Sequence, residues 1–443
     1  MPDSNDLPRD WAAIRAARAE ALAATLDLAA TRHPLTRRKM SEAGLQRSDF
    51  VTPEDLHRLP ITTKAELMAA PEDALLDLDG AEVPEEARIV WDTMYTTGST
   101  SRPTPFVSTT SDFWDILLLQ RRMLRIRGVT GQDRIANLFP LTRQPHGAFI
   151  RVLHAAAALH IPVVSALPGN PGAGFAVGQE LDGVVDTLVR TRPTILWGVP
   201  SYMRRVIARA VQRGIALPEI RLVFVTGEGV SGEARADLAA RLGEVGARDA
   251  GISVSYGMTE IQGGLVECVA GGGLHNPHPE AIAIDVVHPE THAPLPDGEE
   301  GLILVSHMRR RGTLLLRYAV GDLGVRTTGP CPHCGGVTER ILGIPRRADE
   351  LTKLRGMLVN PAAAIAAVEA VRAVRDFRFE VSRDGPLGMD SFVLRVVADD
   401  ADGLEALLAA RVKDAIGVTP RIARIESLDS TSWKAKRWVD QRG

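Results

Sequence analysis

Several groups of residues in this sequence have types and spacings that can do chemistry. The stretch Tyr95-Thr96-Thr97-Gly98-Ser99-Thr100-Ser101-Arg102-Pro103 gathers hydroxyls, one glycine and one cation soon after a short, mostly apolar run at 87–91. Small residues let backbone N–H groups converge on an anion, hydroxyls add donors, and glycine permits positive φ, so the loop suits a phosphate group. An ordinary polar turn between strands has the same composition, and the loop matches neither G-x-x-x-x-G-K-[ST] nor G-x-G-x-x-G. In Arg317-Tyr318-Ala319-Val320-Gly321-Asp322 a carboxylate follows a glycine turn at the end of an apolar strand. It can accept two hydrogen bonds from a vicinal diol, or cap its own turn. Cys331-Pro332-His333-Cys334 is a knuckle whose two sulfurs can meet one ion, and the remaining cysteine, Cys268, is followed shortly by His275. Three cysteines and one histidine make a closed zinc sphere, structural rather than catalytic. The alternative is three free thiols, and His333 and His278 are spare ligands.

These residues need elements to position them. Between 110 and 260, apolar runs at 135–139, 161–164, 194–198 and 222–225 alternate with Ala- and Arg-rich helical patterns, which predicts a doubly wound, mostly parallel sheet. Ligands of such sheets sit at the carboxyl ends of strands, where Thr226-Gly227-Glu228-Gly229 and Ser255-Tyr256-Gly257-Met258-Thr259-Glu260 are expected. After 280 the pattern shortens to an antiparallel or small-barrel segment, with strands at 281–287 and 301–305 joined through Pro294-Leu295-Pro296-Asp297-Gly298. Residues 377–381, 392–397 and 421–425 read as strands and 403–416 as a helix, so a small α+β domain closes the chain. An amphipathic helix is predicted over 9–31, and the basic run 32–40 is expected to be a solvated helix face. Helix starts follow at Thr52-Pro53 and at Thr62-Thr63-Lys64.

With 443 residues, 45% hydrophobic content and a net charge of −3, the chain reads as a multidomain globular protein without a polyanion-binding signature. No membrane span or leader is expected, since no run reaches about 18 apolar residues and the first residues are polar. A cytoplasmic protein is the expectation.

Taken in order, the motifs resemble the adenylate-forming superfamily and, within it, the phenylacetate-CoA ligases, over nearly the whole chain. The resemblance rests on 95–103, Tyr256-Gly257-Met258-Thr259-Glu260, Arg317-Tyr318 with Gly321-Asp322, Arg347-Ala348-Asp349 with Arg355-Gly356, and Lys434-Ala435-Lys436-Arg437. Leu59-Pro60-Ile61-Thr62-Thr63-Lys64 and His288-Pro289-Glu290-Thr291 add to it. It implies a large domain over 1–348 and a mobile one over 349–443, hinged at Asp349. Thr97, Gly98, Ser99 and Thr100 would hold the β- and γ-phosphates of ATP, and Glu260 would help hold magnesium. Tyr256 would stack on adenine, Asp322 would take the ribose hydroxyls, and Arg347 would reach ribose or phosphate; Glu228, Gly257 and Thr259 belong to the same nucleotide-side set. Lys434 would bridge the substrate carboxylate and the α-phosphate, with Thr97 and Glu260 beside it in catalysis. Trp433 stands where that family carries glycine, which leaves Lys436 open as the alternative. Phe139, His146 and Gly147 would line the acid pocket. The implied reaction adenylates an aromatic or small hydrophobic carboxylic acid and passes the acyl group to coenzyme A; a carrier-protein thiol, an amine or nitrite are alternative acceptors. A homodimer is the usual state of such ligases, and zinc sites like this one occur among them.

Overall fold

A computed structural model of the chain describes residues 10–96, 103–142, 147–169, 178–268, 271–347, 352–354, 357–383, 390–428 and 436–442. Thr97, Gly98, Ser99, Thr100, His146, Asp349 and Lys434 lie outside these residues. The fold is mixed α/β and divides into two units. One comprises Met1–Asp133, Gln144–Val163 and Ser253–Ala348, the other Arg134–Arg143, Val164–Ile252 and Asp349–Gly443.

In the first unit the predicted amphipathic helix runs over Trp11–Arg32, started by Asp10, whose carboxylate accepts from the N–H groups of Ala12 and Ala13. Its Leu22, Leu26 and Ala29 pack with Met40, Phe50, Leu56, Met308, Leu314 and Leu316. The basic run forms the helix Pro34–Glu42, yet Lys39 is not solvated: it is buried, 2.9 Å from Glu66 and hydrogen-bonded to the Ile61 carbonyl. Thr63 and Glu66 form the predicted cap, each side chain bonding the other's backbone N–H. The antiparallel segment is a ladder in the order Ile282–Val287, Glu300–His307, Tyr318–Thr327, Arg340–Arg347, Gly271–His275, Gly263–Cys268 and Gly251–Met258. It therefore begins some thirty residues earlier than the alternation after 280 predicts, because the strands over 251–275 are glycine-rich and carry little apolar signal. Those glycines have a packing reason. A Cβ at Gly263 would lie 2.2 Å from Leu119 in the helix Thr110–Ile126, so only glycine lets that helix rest on the ladder.

Two of the sequence motifs turn out to be one clamp. Thr62 bridges to Tyr318: its N–H donates to the Arg317 carbonyl and its own carbonyl accepts from Ala319, both at 2.9 Å. The buried Arg317 guanidinium donates to the carbonyls of Leu59 at 2.7 Å, His292 at 2.8 Å and His57. Each carbonyl so deprived costs on the order of 1–3 kcal/mol. Arg317→Leu is thus expected to destabilise the protein by about 3 kcal/mol, seen as a lowered melting temperature with unchanged ATP affinity in the folded protein.

In the second unit the strands Leu222–Thr226, Ile195–Gly198, Ile135–Asn137 and Val163–Ser165 lie in that order, with the first three mutually parallel. Every residue of Ile195–Gly198 is buried, as is 222–225, which is why these strands read as continuous apolar runs. The helices Leu181–Thr191, Pro200–Gln212 and Gly232–Glu244 supply the covering layer through Val184, Leu188, Met203, Ile207, Leu238 and Leu242. The C-terminal residues form their own four-stranded sheet, ordered Arg421–Arg424, Asp390–Ala398, Val374–Arg383 and Trp438–Asp440. Phe377, Phe379 and Phe392 pack there against Leu404, Leu408 and Val412 of the helix Leu404–Ile416, a core drawn entirely from this part of the chain.

Candidate functional site

In the first unit, the ladder brings together three of the residues expected on the nucleotide side. Tyr256 stands in Gly251–Met258, and its hydroxyl donates to the Asp322 carboxylate. Asp322 stands in Tyr318–Thr327, with Arg347 as its partner across the ladder. A carboxylate has about four lone-pair sites, so Asp322 can hold the tyrosine and still accept from a diol. Gly257 is exposed, and Thr259 and Glu260 follow in the turn 259–262, half-buried. Gly147 opens the helix Gly147–Leu159.

Sequence reasoning missed what holds Glu260. Its carbonyl accepts from His307 Nε2 at 3.0 Å, while the Leu315 N–H donates to Nδ1 of the same ring at 3.1 Å. Burial, reinforced by Arg310, pushes His307 down to about 3, so the ring is neutral. The only signal in the sequence is a histidine at the end of an apolar strand, which has no motif to distinguish it.

In the second unit, Glu228 follows the strand Leu222–Thr226, and both of its oxygens are engaged: Ser201 donates through its backbone N–H at 3.0 Å and its hydroxyl at 2.9 Å. Ser201 is in the first turn of Pro200–Gln212, so the carboxylate rests on a helix N-terminus, where negative charge is stabilised. Phe139 is buried, its N–H bonded to the Asn137 side chain at 3.1 Å. An aromatic pair unremarked in the sequence lies in the same unit: Trp197 meets Phe224 edge-on at 5.5 Å and donates to the Thr226 hydroxyl at 3.1 Å. Beyond Lys434, the exposed Lys436 leads into an anchored strand. Arg437 donates to the Phe377 carbonyl at 2.7 Å, pairs with Asp376 and stacks 4.4 Å from the Phe377 ring. Trp438 packs 5.4 Å from both Phe379 and Phe392.

The cysteine cluster is assembled in the first unit. One donor atom from each of Cys268, His275, Cys331 and Cys334 lies within 4.8 Å of all the others. Cys268 Sγ and Cys331 Sγ are 4.0 Å apart, and Cys334 Sγ is 3.7 Å from His275 Nε2. A tetrahedral zinc with its usual bond lengths separates its ligands by about 3.5–3.8 Å, so the donor set fits that ion. Burial opposes ionisation of the Cys331 thiol, but backbone N–H groups of Cys334 and His333 outweigh it and hold the thiol below its ordinary value. Burial, then Arg340, pushes His275 down to about 4, leaving it neutral as a ligand must be. Gly272, at φ +91, is required: a Cβ there would sit 2.7 Å from Cys331 Sγ.

Residues 13–309 match the family described as AMP-binding enzyme, and the chain belongs to that family. It is an adenylate-forming enzyme of the phenylacetate-CoA ligase type. The phenylacetate-coenzyme A ligase of Thermus thermophilus is 27% identical over 473 residues, covering 100% of this chain and 99% of its own. The Escherichia coli enzyme of the same name is 24% identical, covering 97% of this chain and 95% of its own. Among solved structures, 2-hydroxyisobutyryl-CoA ligase in the postadenylation state shares the fold, with a TM-score of 0.79 at 21% identity over 100% of this chain and 95% of its own. Among the described residues no helix is long and apolar enough to cross a membrane.

Proposed function

We propose that the protein activates an aromatic or small hydrophobic carboxylic acid with ATP and transfers the acyl group to coenzyme A. The observation that carries this reading is the Tyr256–Asp322 pair with Arg347 opposite, an arrangement suited to a ribose diol beside a flat ring. Relatives that align end to end and are named for this activity support it.

In the first half-reaction a carboxylate oxygen attacks the α-phosphorus, the bond to the β-phosphate breaks, and pyrophosphate leaves. Two anions must approach, and fixed cations and N–H dipoles offset their repulsion. Thr97, Gly98, Ser99 and Thr100 hold the β- and γ-phosphates, with Thr97 also in the catalytic set. Tyr256, Gly257 and Thr259 border the adenine, Asp322 and Arg347 take the ribose, and Glu228 stands on the nucleotide side. Lys434 bridges the reacting groups. Phe139, His146 and Gly147 line the acid pocket. In the second half-reaction a thiolate attacks the acyl carbon and AMP leaves, after residues 349–443 turn about Asp349.

Magnesium, held through Glu260, would neutralise phosphate charge when bound. Zinc on Cys268, His275, Cys331 and Cys334 is structural, because four protein ligands leave no open position. A reducing, cytoplasmic setting suits thiolates kept free for a metal.

The deciding experiment is acid-dependent pyrophosphate release across a panel of aryl and small aliphatic acids, with and without coenzyme A. Release with one acid together with its acyl-CoA product is expected. Release without thioester would move the acceptor to a carrier-protein thiol, an amine or nitrite, and no release with any acid would overturn the proposal. Asp322→Ala should weaken ATP binding about 10- to 100-fold, the loss of hydrogen bonds to a charged group, measured by calorimetry.

A further inference from the structure

The turn 259–262 presents four successive backbone carbonyls, and a side-chain donor meets each one. Gln262 Nε2 donates to the Thr259 carbonyl at 2.9 Å, His307 Nε2 to Glu260 at 3.0 Å, Arg310 Nη2 to Ile261 at 3.2 Å, and Gln120 Nε2 to Gln262 at 2.8 Å. All four donor residues are buried, and they come from the helix Thr110–Ile126, the end of the strand Glu300–His307, the loop after it, and the turn itself. Gln262 is held at φ +57, a left-handed conformation that costs a non-glycine residue about 1–3 kcal/mol. Its Oε1 accepts from Arg151 at 2.7 Å, and Arg151 is fixed in turn by Asp92 at 2.8 Å. Because the Leu315 N–H donates to His307 Nδ1, the neutral ring carries its proton on Nε2, directed at Glu260.

Buried carbonyls must be paired somehow, and a backbone ladder would satisfy them without strain. This turn makes one backbone bond of its own, from the Gln262 N–H to the Thr259 carbonyl at 3.1 Å, and otherwise uses its own Gln262 side chain and side chains from three places outside it, keeping a strained residue. Such a frame fixes the direction in which the Glu260 side chain leaves the backbone. A site that must place a carboxylate within about half an ångström needs that support.

We infer that His307 is a positioning residue for Glu260, acting with Gln120, Arg310 and Gln262 to hold the carboxylate where magnesium–ATP binds. This rests on the reading of Glu260 as the magnesium-side carboxylate. The measurable quantity is the gain in ATP affinity on adding magnesium, obtained by calorimetry on the full chain with magnesium and with EDTA.

His307→Leu removes the donor and should cut that gain about 10-fold, the usual scale for losing an outer-sphere support of a metal ligand, with binding in EDTA unchanged. His307→Gln, which keeps an N–H donor, should restore most of it. Gln120→Leu, which removes the amide donor on another element, should cut it in the same sense and serves if His307→Leu fails to fold. Glu260→Gln should also cut it, and adding His307→Leu to Glu260→Gln should cost nothing more. If Glu260→Gln cuts the gain but His307→Leu and Gln120→Leu lower only the melting temperature, the inference is overturned and the reading of Glu260 stands. If Glu260→Gln leaves the gain unchanged, that reading falls and the inference with it.

Discussion

Lys434→Ala is expected to reduce acid-dependent pyrophosphate release by about 100- to 1,000-fold, the scale seen when one fixed donor to a developing charge is removed. ATP affinity should be nearly unchanged, because the residues proposed to hold the phosphates and the nucleoside lie elsewhere in the chain. The reason lies in the approach of two anions. Unit charges about 4 Å apart repel by about 4 kcal/mol at an effective dielectric of 20, and one ammonium between carboxylate and α-phosphate can cancel most of that. Thioester formation from a supplied acyl adenylate does not bring two anions together in this way, so the variant should retain it. Lys436 is the control. It is exposed, two residues before Trp438, whose ring packs against Phe379 and Phe392. Arg437 is likewise committed to Asp376 and the Phe377 carbonyl. Lys436→Ala should therefore behave like the parent protein in the pyrophosphate assay. If the two variants exchange behaviour, Lys436 takes the role instead, and unchanged release in both would refute a lysine bridge in this segment.

What the sequence made legible follows from how each signal is generated. Strands covered on both faces must be apolar throughout, so Ile195–Gly198 and Leu222–Thr226 could be read almost to the residue. Phe377, Phe379, Phe392 and Leu394 alternate along their strands as a one-sided sheet requires, so three strands of the C-terminal sheet were visible, while its short fourth strand Trp438–Asp440 was not. The glycine-rich strands Gly263–Cys268 and Gly271–His275 were not visible. Their residues are chosen for the close approach of Leu119 and of Cys331 Sγ, a constraint with no local pattern. Lys39 looked solvated because charge is usually exposed, but Glu66 lies 27 residues on and makes burial tolerable. Arg317 lay inside a recognisable motif, yet the motif gave no sign that its guanidinium serves the carbonyls of His57, Leu59 and His292. The frame around Glu260 was the least legible part of all. Gln120, His307 and Arg310 are common residue types, far apart in sequence, whose meaning exists only once the turn is folded.

Cys331→Ser should remove the metal and a large part of the stability of the first unit. The purified parent protein is expected to carry about one zinc per chain, four protein donors making a closed tetrahedral set. The variant should carry close to none, because three remaining donors with a neutral hydroxyl in the fourth place bind zinc far more weakly. The mechanical consequence follows from where the ligands sit. Cys268 ends the strand Gly263–Cys268, His275 ends Gly271–His275, and Cys331 and Cys334 precede the strand Arg340–Arg347. One ion there would tie the ladder's middle strands to a loop that Arg340 also supports, its guanidinium bonding the carbonyls of Gly272, Gly329 and Pro330. Binding free energy at such a site is folding free energy. A loss of a few kcal/mol lowers the melting temperature of a unit this size by about 5–10 °C, and chelation of the parent protein should reproduce the shift. Asp322 lies on the strand Tyr318–Thr327, which pairs with Arg340–Arg347, so ATP affinity should weaken in the variant as the ladder loosens. A parent protein that melts as before after exhaustive chelation, or one that contains no metal, would reduce the cluster to buried thiols packed against Gly272 and leave the ladder to hold itself.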